Sequence, residues 1–326
     1  MSEILRLENI SKNYGNFKAV KNLSFNIKEG EIVGFLGLNG SGKTTTIKIL
    51  AGLLYEYDGN IFYKGKKEKN IGNKIETTFI FDSQNFYENL SAFENLLIVY
   101  YLNLNKKKNN LDSRVENNSQ TVNKKNIKKE IIKVLIEIGL EDWINKPVKF
   151  FSRGMKQRLA LSSALLLNPS FLILDEPTNG LDIDGIYFCE KYFERLKSQG
   201  CTILLSSHYL EEIERLADHI VIIHKGEKKF DGDKQSLSVL KIIGANYFFN
   251  KNIDKNQIEN LQNFLKNNNI GIISLNIKEN GFEIIFDKDS ITNIEFVNNF
   301  IKDNFSGLLF IEPIQKHLKE LFFDKN

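Results

Sequence analysis

From its start to about residue 232, the chain alternates short apolar runs with amphipathic stretches. Residues 171–174, 202–205 and 220–223 are apolar runs bounded by polar or turn residues, a pattern typical of strands buried on both faces. Apolar side chains also recur at helical spacing, as they do at Ile127, Ile131, Val134, Leu135 and Ile138. Strands that alternate with helices predict an α/β domain with a mostly parallel sheet over residues 1–232.

A helical subdomain is predicted inside this domain, over about residues 83–165. Ser91 and Glu94 form a capping-box pattern at the start of a helix that carries Leu96, Leu97 and Val99. Residues 103–126 follow it and are rich in Asn and Lys, with almost no large apolar side chains. Such a segment cannot bury enough surface to order itself, so we expect a solvated loop. Contact of its lysine clusters with anionic lipid is the alternative.

The composition changes near Lys234, and a second domain is predicted over residues 240–326. Its pattern predicts the following elements: a strand at 245–249, a helix after Asp254 with Gln257 at a capping position, a strand at 272–277, a hairpin turn at Asn280-Gly281, a strand at 282–286, a helix with Ile291, Ile294, Val297 and Ile301 on one stripe, a strand at 308–311, and a final helix carrying Ile314, Leu318, Leu321 and Phe322. The order βαββαβ is that of a small α+β, ferredoxin-like unit. This region carries no recognisable catalytic constellation.

Bulk properties narrow the class of protein. The chain has 326 residues, which suggests about two domains, and its formal charge of +3 is too small to imply a nucleic-acid partner. Cys189 and Cys201 have neither metal-ligand spacing nor a disulfide framework around them, which fits packing residues in a reducing compartment. The N-terminus shows no secretory signal, and the longest apolar stretches are too short to span a bilayer. We therefore expect a soluble, cytoplasmic chain.

One loop carries the first candidate chemistry. GLNGSGKTT lies between an apolar run and a helical stretch and fits the phosphate-binding pattern G-x-x-x-x-G-K-[ST]. Glycines let backbone N–H groups approach phosphate oxygens, Lys43 reaches the β and γ phosphates, and Thr44 ligates Mg²⁺. The residues of this loop predicted to bind a nucleoside triphosphate are Gly37, Leu38, Asn39, Gly40, Ser41, Gly42, Lys43, Thr44 and Thr45.

Two acidic residues and a histidine complete the candidate catalytic set. Asp175 ends a buried strand, where a carboxylate beside a phosphate loop is placed to hold Mg²⁺. Glu176 follows it directly and can accept a proton from attacking water. His208 ends another strand in SSH, where it can donate to a γ phosphate or serve a structural role.

Together these motifs resemble those of the ATP-binding cassette (ABC) ATPases, in the family's order and over nearly all of residues 1–232. The resemblance identifies the glycine-rich loop as Walker A, FLILDE as Walker B, NGLD as the D-loop with Asp182, and SSH as the H-loop. It also implies that Tyr14 stacks on adenine with Val20 nearby, although Tyr14 fits simple strand packing as well. The signature motif is SRGMKQR, whose residues contact ATP bound to an opposite subunit: Ser152, Arg153, Gly154 and Met155.

The chain departs from the family pattern at two places. Arg153 replaces the first Gly of the usual LSGGQ signature and Met155 replaces its Gln. The residue in register with the family's Q-loop glutamine is Asp82, and a carboxylate there repels a γ phosphate unless Mg²⁺ compensates. We therefore assign Asp82 to the Mg²⁺ site with Thr44 and Asp175, while a shifted loop would offer Gln84 instead. In having an acidic residue at this position, the chain resembles the ATPases of bacitracin-type and lantibiotic-type peptide exporters.

The resemblance implies an ATP-hydrolysing subunit with ATP and Mg²⁺ as ligands, which powers export of a drug, peptide or lipid-like cargo through a separate integral-membrane permease. Its expected partners are a second copy of itself or a paralogous ABC subunit and the permease, at the inner face of the cell membrane. A non-transport ABC ATPase acting on ribosomes or DNA, an importer ATPase, and a P-loop kinase or GTPase are the rival functions. The signature and H-loop argue against the last of these.

Overall fold

The computed structural model describes residues 2–82, 86–110, 124–250, 253–278, 281–287 and 290–315. The chain divides into two compact units, one ending at Asp233 and the other beginning at Lys234.

The first unit contains ten strands among its described residues: β1 (Glu3–Tyr14), β2 (Phe17–Lys28), β3 (Ile32–Leu36), β4 (Asp58–Tyr63), β5 (Lys66–Glu68), β6 (Thr77–Ile80), β7 (Phe171–Asp175), β8 (Thr202–Ser207), β9 (His219–His224) and β10 (Glu227–Asp233). One sheet has the order β2-β1-β4-β5 and is antiparallel. The other has the order β10-β9-β3-β8-β7-β6 and is parallel except at β10. The predicted α/β class and the three predicted buried strands are confirmed.

Parallel pairing explains why the candidate site forms at one edge. Leu36 of β3 pairs with Ser207 of β8, and Ser206 of β8 pairs with Asp175 of β7, so the carboxyl ends of three strands meet. Ligands of open α/β sheets bind outside these ends. All five residues of β3 and of β7 are buried, which anchors the loops that follow them.

The described part of this unit has six α-helices: α1 (Lys43–Leu50), α2 (Ala92–Asn110), α3 (Lys124–Glu137), α4 (Arg153–Leu167), α5 (Ile183–Ser198) and α6 (Leu210–Leu216). α2, α3 and α4 pack on one another, and the apolar stripe predicted for α3 is buried. The predicted capping box is present, because Ser91 N–H donates to Glu94 and Glu94 N–H donates back to Ser91 Oγ. Cys189 and Cys201 are buried free thiols, and burial raises the pKa of each to about 12.

The loop predicted over residues 103–126 is wrong at both of its ends. α2 continues to Asn110, and α3 already begins at Lys124. Lysine is a good helix former, and Leu96 of α2 is buried, so local propensity can extend a helix that packing has already started. The middle of this segment, 111–123, lies outside the described residues.

The second unit contains α7 (Lys234–Lys241), β11 (Ile242–Phe249), α8 (Lys255–Asn267), β12 (Ile272–Lys278), β13 (Gly281–Phe286), α9 (Ile294–Asn304) and β14 (Leu308–Gln315). Its antiparallel sheet has the order β12-β13-β11-β14, the ferredoxin-like arrangement that the element order predicts. Asp254 caps α8, and the Gln257 side chain reciprocates as a capping box.

Ile314 is the error in this unit. The predicted final helix should contain it, but Ile314 lies in β14 and pairs with Gly244. Backbone pairing of β14 with β11 prevails there over the helical spacing. Leu318, Leu321, Phe322 and the turn residue Asn280 lie outside the described residues. None of the described helices has the length and apolar character that membrane crossing needs.

Candidate functional site

The loop between β3 and α1 is held tightly by its glycines. Gly42 precedes α1 with a φ of 111°, which favours glycine because an L side chain is strained there. A Cβ on Gly37 would lie 2.5 Å from the Ile223 carbonyl oxygen and 2.5 Å from Ser41 Oγ. Ser41 Oγ is one of the few buried side-chain atoms of the described residues that have no hydrogen-bond partner. A cradle of close backbone with a free hydroxyl and a helix N-terminus fits a phosphate group.

Lys43 folds back over this loop and is 5% exposed. Its Nζ donates to the Gly37 carbonyl oxygen at 2.6 Å and to that of Leu38 at 3.4 Å. Nζ also lies 3.0 Å from Glu176 Oε1. Gly37 and Leu38 therefore act through their carbonyl groups, and the ammonium group is held between the loop and the end of β7.

Asp175 and Thr44 meet at the end of β7. Asp175 is 3% exposed and accepts hydrogen bonds from Ser206 Oγ at 2.7 Å and from the Thr44 side chain. Burial raises the pKa of the Asp175 carboxyl, and these hydrogen bonds oppose the rise. A carboxylate beside a hydroxyl is an oxygen donor set of the kind that Mg²⁺ takes.

Glu176 is held in a strained backbone conformation, with a φ of +50°. Its N–H donates to Ser206 Oγ at 3.0 Å, which fixes the residue at the strand end. Oε1 faces Lys43, and Oε2 lies 2.7 Å from His208 Nδ1. Strain of this kind persists only where the surroundings hold it, and it concentrates at functional sites.

A cavity of about 650 Å³ lies above these groups. Many of the predicted residues line it: Tyr14, Asn39, Gly40, Ser41, Gly42, Lys43, Thr44, Thr45, Asp82, Asp175, Glu176 and His208. The sequence missed six others: Phe17, Ala19, Lys48, Leu53, Phe81 and Asn179. Val20 is fully buried in the core, where it packs beneath Gly42, whereas its neighbour Ala19 lines the cavity. Strand alternation sends consecutive side chains to opposite faces and accounts for this exchange.

Comparison with known proteins gives this arrangement a family. The sequence model of the ABC transporter family matches residues 20–179. The chain is 42% identical over 236 residues to the bacitracin transport ATP-binding protein BcrA of Bacillus licheniformis, which covers 70% of this chain and 69% of that protein. It is 36% identical over 240 residues to the lantibiotic transport ATP-binding protein SrtF of Streptococcus pyogenes, with 71% and 93% covered. The chain belongs to the ABC transporter ATP-binding proteins.

Solved structures agree with this assignment. The ATP-binding subunit of an ABC transporter shares 28% identity and a TM-score of 0.60, covering 72% of this chain and 91% of that one. An ATP-binding cassette in an ADP conformation has a TM-score of 0.61 at 24% identity, which shows the fold. The predicted P-loop fold of the first unit is thus confirmed, and this ABC ATPase is an ATP-hydrolysing subunit of a membrane ABC transporter.

The signature and the D-loop each supply a residue that caps the N-terminus of a helix. Ser152 caps α4, accepting from Met155 N–H at 3.2 Å, and Asp182 caps α5, accepting from Gly185 N–H at 2.9 Å. Within the described part of the chain, neither of them lines the cavity, and neither do Arg153, Gly154 or Met155. They are placed at the N-termini of two long helices, where N–H groups face outward.

Asp82 lines the cavity, and its side chain is 43% exposed. The Arg153 guanidinium donates to Asp82 Oδ1 through Nη2 at 3.2 Å. The rival Q-loop candidate, Gln84, lies outside the described residues.

Sequence reasoning also missed Glu212, a buried carboxylate beneath the site that is 4% exposed. It accepts from Thr178 Oγ1 at 2.7 Å and from Ser207 Oγ at 2.6 Å, and burial raises its pKa. Thr178 follows Walker B by two residues and Ser207 precedes His208. Glu212 therefore joins the two catalytic segments. The signal in the sequence is its position one turn after the H-loop, on the inner face of α6.

Proposed function

We propose that this ABC ATPase powers the export of an antimicrobial peptide or a similar drug or lipid-like cargo through a separate membrane permease. The observation that carries the proposal is the cluster of Lys43, Glu176 and His208 at the head of a phosphate loop, since it supplies the parts of a triphosphate hydrolysis site. Relatives named for bacitracin and lantibiotic transport support the cargo class. A chain that binds such a permease would lie at the inner face of the cell membrane.

In this proposal, the loop from Gly37 to Thr45 holds the phosphates and Tyr14, which is 46% exposed at the cavity wall, stacks on adenine. Thr44, Asp175 and Asp82 would hold Mg²⁺, because two of them already touch and the third lines the same cavity. These residues would thus place Mg²⁺ where it would neutralise phosphate charge at this edge of the sheet.

Glu176 acts as the general base that takes the proton of the attacking water. His208 Nδ1 lies 2.7 Å from Glu176 Oε2 and orients this carboxylate, and the other ring nitrogen of His208 would contact the γ phosphate. Lys43 holds Glu176 through the 3.0 Å ion pair until the phosphates compete for the ammonium group. The pairing keeps both charged groups satisfied in a site that is largely shielded from water.

A second copy, or a paralogous ABC subunit, completes the site. One chain carries one phosphate loop and one signature, and α4 presents the backbone N–H groups of Arg153 and Gly154 at its N-terminus for the ATP held by the partner. Closure of the pair on ATP and opening after hydrolysis would drive the permease as a population shift.

The experiment that tests the proposal has two arms. Tagged chain should co-purify with a polytopic membrane protein, whereas ribosomes or DNA in its place would favour the non-transport class. Expressed with that permease in a sensitive host, the chain should raise the inhibitory concentration of bacitracin or a lantibiotic, and a Glu176→Gln variant should not. Uptake of a nutrient without any such protection would instead identify an importer.

A further inference from the structure

The two departures from the family pattern meet in space. Arg153 stands for the first glycine of the signature, and Asp82 stands for the Q-loop glutamine, 71 residues earlier. Arg153 Nη2 donates to Asp82 Oδ1 at 3.2 Å within the same chain. Each unusual residue is therefore the partner of the other.

The path of the Arg153 side chain is set by a glycine. A Cβ on Gly180 would lie 2.4 Å from Arg153 Nη1 and 2.6 Å from Cζ, so the guanidinium group lies directly over the bare backbone of the D-loop. Asn179, the neighbour of Gly180, lines the cavity together with Asp82. Arg153 thus crosses from the start of α4 to two segments of the cavity wall, and the planar guanidinium suits this narrow path better than an ammonium group does.

An acidic cavity wall raises an electrostatic problem for a site that takes a triphosphate. A carboxylate among phosphate oxygens repels them, and Mg²⁺ relieves this only once it is bound. The Arg153 guanidinium is permanently charged and is already at the carboxylate before any ligand arrives. The compensating charge is therefore part of the chain itself.

We propose that Arg153 is a positioning residue that neutralises Asp82 of its own chain and so allows the acidic cavity wall to accept a magnesium nucleotide. The inference rests on the proposed function of the cavity and deepens it. It gives the side chain of Arg153 a role within one subunit, while its backbone N–H stays available to the opposite one.

The same helix offers a matched control. Lys156, one turn after Arg153, pairs with Glu88 at 2.9 Å, so α4 makes a second ion pair with the segment that follows Asp82. The two pairs have similar exposure, with side chains 57% and 43% exposed in the first and 32% and 62% in the second. Neither Lys156 nor Glu88 is among the residues that line the described cavity. Glu88→Gln removes an ion pair of α4 without touching the cavity wall.

The test is a double-mutant cycle read by equilibrium binding of a fluorescent ATP analogue to the full chain. Arg153→Gln should weaken Mg²⁺-dependent binding by about fivefold, the upper range for an exposed ion pair. In an Asp82→Gln background the same change should alter affinity by less than about twofold, because no carboxylate remains to neutralise. Arg153→Lys should recover part of the loss, and Glu88→Gln should leave affinity unchanged.

Three results would overturn the inference while leaving the proposed function intact. Equal losses in both backgrounds would mean that Arg153 acts on the nucleotide directly, and no loss in either would reduce the ion pair to a surface contact. A loss that disappears at protein concentrations too low for two copies to associate would place the role of Arg153 in the opposite subunit. A wild-type chain that binds no ATP analogue would instead overturn the proposed function, and thermal unfolding of each variant checks that it is folded.

Discussion

The charged residues of the cavity are buried at its floor and exposed at its rim. The floor, made of Lys43, Asp175 and Glu176, is nearly closed to water, with Lys43 and Asp175 at most 5% exposed. The rim is formed by Asp82, which lines the cavity, together with its ion-pair partner Arg153, which lies just outside it; their side chains are 43% and 57% exposed. Both regions pair a cation with a carboxylate at close to 3 Å, so burial rather than distance separates them.

This difference predicts different sensitivities. A buried charge that loses its partner is strongly destabilised, and salt screens it little. An exposed pair contributes little on its own, and added salt weakens it further. We therefore expect a substitution that leaves a charge of the floor unpaired to have a large effect. Single substitutions at the rim should have small effects, and the interaction of Asp82 with Arg153 should be detected in a double-mutant cycle.

The largest expected effect is at Glu176. Glu176→Gln keeps the shape of the side chain but removes the carboxylate that accepts a proton, so turnover should fall by roughly 10² to 10⁴ while ATP binding is retained. Phosphate release and analogue binding measure the two quantities. Glu211→Gln, the same chemical change at an exposed position of α6, is the control and should leave both unchanged. Wild-type turnover in Glu176→Gln would remove Glu176 from the catalytic set.

Glu212 extends the comparison below the floor. Glu212→Leu leaves the hydroxyl groups of Thr178 and Ser207 buried without their acceptor, which should cost about 1–3 kcal/mol of unfolding free energy for each. Glu212→Gln keeps an acceptor oxygen for only one of the two hydroxyl groups, so it should lose about half as much stability as Glu212→Leu. Urea denaturation at neutral pH distinguishes the variants, and equal loss in both would show that the hydrogen bonds contribute little.

The stability of the wild type relative to Glu212→Gln should depend on pH, and the raised pKa of Glu212 sets the direction of the change. Burial raises the pKa of Glu212 above its ordinary value of 4.5, so the folded chain holds this proton more tightly than the unfolded chain. The stability that this proton contributes is present below pH 4.5 and is lost as the pH rises through the folded value. Wild type should therefore lose stability relative to Glu212→Gln across that window. Parallel stability curves for the two proteins would contradict this account.

Lys43 tests the floor for nucleotide binding. Lys43→Ala removes a charged donor from the phosphates and should weaken analogue affinity by about 10- to 100-fold, since hydrogen bonds to charged groups contribute roughly 1.5–3 kcal/mol. Lys48→Ala changes the same residue type on the same helix at an exposed part of the cavity wall, and it should have a much smaller effect. Equal losses of affinity in the two variants would mean that burial does not determine how much a lysine of this cavity contributes to nucleotide binding.

Sequence reasoning succeeded where a local pattern fixes the geometry. The phosphate loop and the strand ends next to Walker B and the H-loop follow from neighbours within a few residues, and they are present in the structure. The ferredoxin-like order of the second unit is local in the same sense.

What the sequence could not provide depends on contacts between distant segments. The meeting of Arg153 with Asp82 spans 71 residues, and Glu212 reaches back 34 residues to Thr178. No pattern within a single segment indicates either contact. The prediction that Val20 lies at the nucleotide site was wrong for a related reason. Which face of β2 lines the cavity depends on packing against Gly42, which is distant in the chain.

The smallest expected effect concerns the rim and the metal. If Asp82 is an Mg²⁺ ligand, Asp82→Ala should raise the Mg²⁺ concentration for half-maximal ATPase activity by about two- to fivefold, as the loss of a partly exposed charged contact suggests. Asp82→Gln restores the family residue and should preserve more activity, because an amide oxygen still ligates a hard cation. The rival view treats Asp82 as a surface residue, where single substitutions change little. Mg²⁺ titrations of the two variants and the wild type, all with Arg153 intact, separate these views. Superimposable curves would exclude Asp82 from the metal site and make Gln84 the better candidate.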